Sequence, residues 1–371
     1  MWQLAVFVVL LLILHVRRKE REVYYHTVTN NHSSCVKMTL CSKDGSNEAL
    51  ILETVLCDKF AVFQIDTGYA GAPVISKSYL ASQTAVTGTD VCQKYASAIK
   101  VSRKASEDEV QRALRSLLKS GLCRSFTSGC TMRLMGIGST NEMQSDMLLC
   151  KSLALKNVQG EYQRMGGQVD ADVFVTHSLK GGVHILTCDY LLHRSPSVLC
   201  PADEKLWLGL SEDDKISMEP SFKFHESFFV GGSFAIMMTV GGVPMRVVVD
   251  TGATAPLSVS KSSSTRIKKC SVPTGGVFNL IQTGVNGERI CSSSISVNVK
   301  IGSVDLGNVI AFVNNEDVEG ADAYAGLGML RALDLWLEPH RIGIRRNRLQ
   351  PSIPRGRPGA CEGAVLPPCA L

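Results

Sequence analysis

The triplet Asp-Thr-Gly occurs twice in this chain, in "QIDTGYAGAPVISKS" ending at Ser78 and in "VVDTGATAPLSVSKS" ending at Ser262. Each copy follows an apolar run and precedes Ala-Pro and a Ser-Lys-Ser. More than a hundred residues lie between them, so the natural reading is one structural unit written twice. Any fold proposed for the chain must place the two copies in equivalent positions.

The flanks extend the match. In the second copy, Ile236–Val240 and Met245–Val249 are strand-like runs around Gly241-Gly242, a hairpin signal, and the second run delivers Asp250-Thr251-Gly252. The first copy has the same order, with Ile51–Val55, a turn around Cys57-Asp58-Lys59, and Val62–Ile65 before Asp66-Thr67-Gly68. Later segments also correspond: "HILTCDYLL" and "SVLCPADEKLWLGL" in copy one answer "GLGML" and "LDLWLEPHRIGIRR" in copy two. Trp207 and Trp336 are expected in the cores of these matching closing strands. The copies differ by an insertion in the first, about residues 84–131, where Ser106 and Glu109 form a capping box before Val110, Ala113, Leu114, Leu117 and Leu118 at helical spacing. One amphipathic helix packed on its lobe is predicted there.

An ionised carboxylate at the end of an apolar strand needs solvation from outside the core. The following Thr supplies a hydroxyl, and Gly permits a sharp turn that aims its N–H back at the carboxylate. Two such loops related by a repeat can face each other across a pseudo-twofold axis. Carboxyls that close cannot both ionise, so the pair holds one proton over a broad pH range. Such a pair suits hydrolysis: one member takes a proton from water while the other polarises a carbonyl.

With these motifs the chain resembles the aspartic proteases of the pepsin and retropepsin clan. "IMMTVGGVPMRVVVDTGATAPLSVS" followed by "GLGML" is similar to the two halves of a retropepsin monomer, and the resemblance covers roughly residues 48–346. It implies an all-β, bilobal pepsin-like or retropepsin-like acid protease fold, two pseudo-twofold related β-barrel lobes with a cleft between them. It implies Asp66 and Asp250 as the catalytic dyad, Thr67 and Thr251 locking the loops to each other, and Gly68 and Gly252 donating N–H groups to the carboxylates. Flaps closing on an extended peptide are expected near Gly136, Ile137 and Gly138 and near Gly284, Asn286 and Gly287. The substrate would be a polypeptide, with no cofactor and no metal. Retropepsins dimerise to complete their site, whereas this chain carries both halves, so a monomer suffices.

Two departures stand in the first copy. Tyr69 follows the triplet where the family has a small residue, so its ring is expected to narrow the cleft or disturb the loop. Thr187 stands where the family's glycine is expected, and Gly328 is read as the glycine of the second copy. Together they motivate an alternative reading, an inactive pseudoprotease that binds a peptide or partner protein in the cleft. Asp189 resembles an aspartate that serves structure in such proteins.

The rest of the chain sets the context. With 371 residues, 45% of them hydrophobic, there is material for two ordinary cores. The expected organisation is an N-terminal membrane anchor and basic flank over 1–29, a first lobe over 30–211, a linker over 212–229, a second lobe over 230–349 and a disordered tail over 350–371. A net charge of +5 with scattered basic residues does not suggest nucleic acid. Leu4–Leu14 is an apolar run followed by Arg17-Arg18-Lys19-Glu20-Arg21. It reads as a single-pass anchor with the body on the cytoplasmic side, signal cleavage and entry to the secretory pathway being the alternative. Thirteen cysteines without a Cys-x-x-Cys pair read as thiols rather than a disulfide framework, which favours a reducing compartment. His184, Cys188 and His193 are the nearest approach to a zinc grouping and are read as core residues.

Overall fold

The computed structural model describes residues 34–43, 47–56, 59–82, 88–99, 106–120, 123–136, 139–150, 153–164, 172–177, 183–267, 280–283, 289–314 and 320–351. The expected anchor over 1–29 and nearly all of the tail lie outside these. Among the described residues no helix is long and apolar enough to cross a membrane.

The first lobe begins with a meander of β1 (Ser34–Lys43), β2 (Asn47–Leu56) and β3 (Lys59–Asp66), followed by β4 (Val74–Ser76) and α1 (Lys77–Ser82). The insertion supplies α2 (Val91–Ile99) and α3 (Glu107–Lys119). A long hairpin of β5 (Cys123–Gly136) and β6 (Ser139–Cys150) comes next, then β7 (Leu153–Lys156), β8 (Tyr162–Arg164) and β9 (Asp172–His177). The lobe closes with β10 (His184–Thr187), α4 (Cys188–His193), β11 (Ser197–Cys200) and β12 (Lys205–Leu208).

Helix α5 (Glu212–Met218) leads to the second lobe, which repeats the order with β13 (Lys223–Val230), β14 (Ser233–Val240), β15 (Val243–Asp250), β16 (Leu257–Val259) and α6 (Lys261–Arg266). It continues through β17 (Leu280–Thr283), β18 (Arg289–Ile301), β19 (Val304–Val313) and β20 (Ala323–Gly326) to α7 (Leu327–Leu330), β21 (Leu333–Leu337) and β22 (Arg341–Arg346). At the β14–β15 turn Gly241 and Gly242 both have positive φ, 55° and 82°, the geometry a two-residue hairpin loop demands.

The lobes join through one antiparallel sheet in the order β1, β12, β11, β21, β22, β13. Its central pairing, Val198 opposite Trp336, links the closing strands of the two repeats. Trp336 is fully buried among Val198, Cys200, Leu210 and Phe222, and Trp207 packs on the edge of that cluster. Most of the remaining core is one continuous cluster that runs through both lobes, including Phe63, Ile65 and Leu186 on one side and Phe234, Val247, Val249 and Leu327 on the other. The observed architecture is the all-β, two-lobed fold that the repeat implied.

Two expectations are corrected. The insertion contains two helices rather than one. Helix α3 has the capping box of Ser106 and Glu109 and buries Val110 and Leu114, whereas α2, capped by Asp90 accepting the Gln93 N–H at 2.8 Å, packs Tyr95 and Ala98 on Cys41, Ala49, Ile51 and Val62. The cysteines are not all thiols: Cys41 and Cys92 form a disulfide with a Cα–Cα distance of 5.2 Å, because α2 lies across β1. Cysteine usage therefore no longer favours a reducing compartment. In "HILTCDYLL" the strand ends at Thr187, which then caps α4 by accepting the N–H of Tyr190.

Glu53 gathers the outer face of the first lobe. Its carboxylate accepts from Lys94 at 2.8 Å, from Lys156 at 3.4 Å and from the Tyr162 hydroxyl at 2.7 Å. Burial opposes ionisation, but the hydrogen bonds from Lys94 and Tyr162 outweigh it and hold the carboxyl below its ordinary range. Glu53→Gln is expected to cost about 1 kcal/mol at neutral pH after allowance for solvent screening. A carboxyl with a depressed folded-state pKa contributes above the unfolded pKa and ceases to do so as pH falls. Urea denaturation at neutral and acid pH should show the wild type and the variant converging in acid.

Candidate active site

Each Asp-Thr-Gly loop hangs from a strand clamped on both sides. β3 lies between β2 and β10, the latter parallel with Thr187 opposite Asp66. β15 lies likewise between β14 and β20, with Gly326 opposite Asp250. Two parallel partners thus carry the two aspartates to the same depth, where the loops meet.

The threonines bind the loops together. The Thr67 N–H donates to the Thr251 hydroxyl at 3.1 Å and the Thr251 N–H to the Thr67 hydroxyl at 3.0 Å, across 184 residues of chain. Each hydroxyl passes its own proton across the interface, Thr67 to the Val249 carbonyl at 2.7 Å and Thr251 to the Ile65 carbonyl at 2.9 Å. Both side chains are buried, so the four bonds are shielded from water.

Above this grip the carboxyls of Asp66 and Asp250 hydrogen-bond each other. Gly68 donates its N–H to Asp66 at 3.0 Å, and Gly252 and Ala253 donate theirs to Asp250 at 2.9 and 3.0 Å. Both residues keep part of their surface open, yet the carboxyl groups themselves are densely surrounded by protein. Burial is accordingly the main force raising both pKa values, and for Asp66 the neighbouring negative charge of Asp250 adds to it. Backbone donors lower both, Gly252 and Ala253 acting on Asp250 and Gly68 and Tyr69 on Asp66, and the pair as a unit is held above the carboxylate range. The glycines leave no room for a side chain: a Cβ on Gly68 would fall 2.3 Å from Asp250 Cγ, and one on Gly252 2.3 Å from Asp66 Cγ.

The departures in the first copy are accommodated. Register pairs Thr187 with Asp66 and Gly326 with Asp250, so the counterpart of Thr187 is Gly326 and not Gly328. Gly326 must be glycine because a Cβ there would lie 2.0 Å from the Ala255 carbonyl. In the first lobe the residue equivalent to Ala255 is Gly71, whose φ of 101° is open only to glycine. Its carbonyl accepts the Thr187 hydroxyl at 2.6 Å, and its N–H donates to Asp189 at 2.9 Å. Glycine and side chain have exchanged places between the loop and the strand facing it. Gly326→Thr is therefore expected to abolish folding, while Thr187→Gly keeps the fold and costs about 1–3 kcal/mol for the carbonyl left unpaired; thermal denaturation of the two variants checks the contrast.

Tyr69 does not distort its loop, since the Gly68 N–H still reaches Asp66. Its ring is buried, its hydroxyl has no partner among the described residues, and burial together with the Asp66 charge raises its pKa. His184 is held inside the lobe, in contact with the rings of Phe63 and Tyr79, and its Nδ1 accepts the Ser76 N–H at 3.1 Å.

Of the expected flap residues, Gly136 ends β5 opposite Ser139 in a hairpin of β5 and β6. Ile137 and Gly138 lie outside the described residues, as do Gly284, Asn286 and Gly287 between the paired strands β17 and β18.

Sequence reading missed several residues that join the lobes at the site. The Ser233 hydroxyl donates to the Gly68 carbonyl at 2.7 Å, and Gln64 Nε2 donates to the Gly252 carbonyl at 3.4 Å. Arg331 after α7 pairs with Glu48 at the start of β2. Only Gln64 carried a signal, as the lone polar residue in the run "AVFQI" before the aspartate.

The sequence matches no protein-family model and no curated protein. Among solved structures, the chain is similar to basic 7S globulin from soybean, at 8% identity over 85% of this chain and 95% of that one, with a TM-score of 0.45. It is similar to an aspartic proteinase from Irpex lacteus, at 12% identity over 87% of this chain and 100% of that one, with a TM-score of 0.43. A retropepsin-like aspartic protease from Rickettsia conorii is similar over 33% of this chain and 92% of its own length, at 18% identity and a TM-score of 0.26.

Proposed function

We propose that the protein is an aspartic endopeptidase whose two carboxylates, one from each lobe, hydrolyse peptide bonds. The single observation that carries this is the mutual hydrogen bond of Asp66 and Asp250 above a buried threonine grip. A pair in that state contains a base and an acid at once. Ionised Asp250 takes a proton from a water between the carboxyls as its oxygen attacks the carbonyl carbon. Protonated Asp66 donates to the carbonyl oxygen, giving a neutral gem-diol. As that intermediate collapses, Asp250 gives the proton it took to the leaving nitrogen and a gem-diol hydroxyl returns one to Asp66, which restores the starting pair. One chain holds both halves of the machinery, so a monomer is sufficient. The membrane anchor and the orientation of the body remain part of the proposal, resting on the apolar run Leu4–Leu14 and the basic cluster after it.

The test is cleavage of a diverse peptide pool by residues 30–350 between about pH 4 and pH 7, the range over which a raised carboxyl pair changes its proton content. Cut peptides that vanish with Asp66→Asn and with Asp250→Asn, and with a statine-type transition-state mimic, support the reading. No cleavage anywhere in that range overturns it, and retained peptide binding in that case would favour the pseudoprotease alternative.

A further inference from the structure

Helix α2 has no counterpart in the second lobe among the described residues, and a covalent bond ties it down. The Cys41–Cys92 bridge joins it to β1 across a sequence separation of 51, and the loop so closed contains Asp66 itself. Cys41 is 1% exposed, whereas Cys92 is partly open to solvent. A helix of 9 residues is marginal in water on its own. Apart from the bridge, α2 is held by Tyr95 and Ala98 on a small apolar cluster with Ala49, Ile51 and Val62, and by the ion pair of Lys94 with Glu53 at 2.8 Å.

The bridged face of α2 also reaches the dyad. Cys92 and Tyr95 are three positions apart on the helix and so share a face. The Tyr95 hydroxyl donates to Gln64 Oε1 at 3.2 Å, Gln64 Nε2 donates to the Gly252 carbonyl at 3.4 Å, and the Gly252 N–H donates to Asp250 at 2.9 Å. The inserted helix of the first lobe thereby steadies the aspartate loop of the second. The reverse contact, Ser233 on the Gly68 carbonyl at 2.7 Å, involves no residue of α2. We propose that the Cys41–Cys92 bridge is a redox switch on the site, with a dithiol reductant as its input and the placement of the Asp250 loop as its output. One thiolate of the reductant attacks Cys92 Sγ, on the partly open residue, to form a mixed disulfide, and Cys41 leaves as a thiolate that takes up a proton. The second thiol of the reductant, as its thiolate, then displaces Cys92, which is protonated in turn. Two electrons and two protons pass to the protein, and the reductant ends as a disulfide. The freed Cys41 stays in the apolar cluster as a small buried thiol. Helix α2 then keeps only its packing and its ion pair, and Tyr95 no longer fixes Gln64 against the Gly252 carbonyl.

The switch rests on the peptidase reading only where activity is measured, and the experiment lets the two fail separately. The full chain is compared oxidised and after dithiothreitol, with opening of the bond confirmed by alkylation of Cys41 and Cys92, alongside the double variant Cys41→Ala with Cys92→Ala and the single variant Tyr95→Phe. On reduction kcat/KM for a cleaved peptide should fall about tenfold to a hundredfold, the cost of a displaced catalytic loop, and should return on reoxidation. The double variant should sit at the reduced level under both conditions. Tyr95→Phe keeps the bridge and loses the relay, so it should start lower than wild type and respond less to reduction. Hydrogen exchange needs neither turnover nor ligand: reduction should lower amide protection over residues 91–99 and at Gly252 and Ala253, while the amides of Thr67 and Thr251 stay protected. That pattern in a protein that cleaves nothing supports the switch and sinks the hydrolase reading alone. Unchanged protection at Gly252 with the bridge open overturns the switch, and so does a wild-type response in Tyr95→Phe or a fall that persists in the double variant. Global unfolding on reduction overturns it too, for the bridge would then be a structural staple only.

Discussion

Asp250→Asn is expected to lower kcat/KM for any cleaved peptide by about 10⁴-fold, because it removes the base that activates water and leaves only positioning and the remaining acid. Asp66→Asn should be equally damaging, since the amide cannot give a proton to the carbonyl oxygen. Stability should move in the opposite direction. Burial and the Asp250 charge raise the folded-state pKa of Asp66, so the folded protein binds its proton more tightly than the unfolded chain. Stability of the wild type therefore falls as pH rises from the unfolded carboxylate pKa towards the raised folded value, at 1.36 kcal/mol per unit of difference at most. Asp66→Asn has no such proton to lose. Its melting temperature should match or exceed that of the wild type near neutral pH, and the gap should close in acid. A variant that loses activity and stability together at neutral pH would contradict the assignment of Asp66 as the strained, proton-holding member.

The second large effect is on the grip below the dyad. Thr251→Val keeps the shape of the side chain and deletes the hydroxyl, which strands the Thr67 N–H and the Ile65 carbonyl in the interior. Two buried backbone groups without partners should cost about 2–6 kcal/mol, at 1–3 each. Thr251→Ser restores both bonds and should recover most of the loss. Urea denaturation read as the transition midpoint measures this, and the lobes should remain a single cooperative unit in the serine variant. If valine and serine behave alike, the hydroxyls do not hold the loops, and the close approach of the aspartates must have another cause.

What could be read in advance was the part encoded over short distances. The apolar run before each aspartate, the Gly241-Gly242 turn and the Ser106–Glu109 capping box all specify local structure through backbone sterics and adjacent side chains. The repeat then converted two local motifs into one site, because equivalent units must pack equivalently. Helix α2 was passed over although Asp90 caps it, because it is only nine residues long and its place is set by the Cys41–Cys92 bridge and by Tyr95 on the sheet. The partner of Thr187 was misplaced by two residues for a similar reason. Only strand register identifies Gly326 as its equivalent, and only the turn at Gly71 shows why a threonine fits. Arg331 and Glu48 are 283 residues apart, and no pattern in either neighbourhood marks them as a pair.

By itself the amino-acid order determined that the chain makes two related β lobes and that each ends a buried strand in an aspartate. Tertiary structure decided whether those aspartates meet, and it set the crossed threonine bonds beneath them. The reason is the range of the forces. Backbone propensity acts over neighbouring residues, whereas a shared proton depends on two carboxyls approaching to hydrogen-bond distance in a site poor in water, and only the packing of both lobes sets that distance.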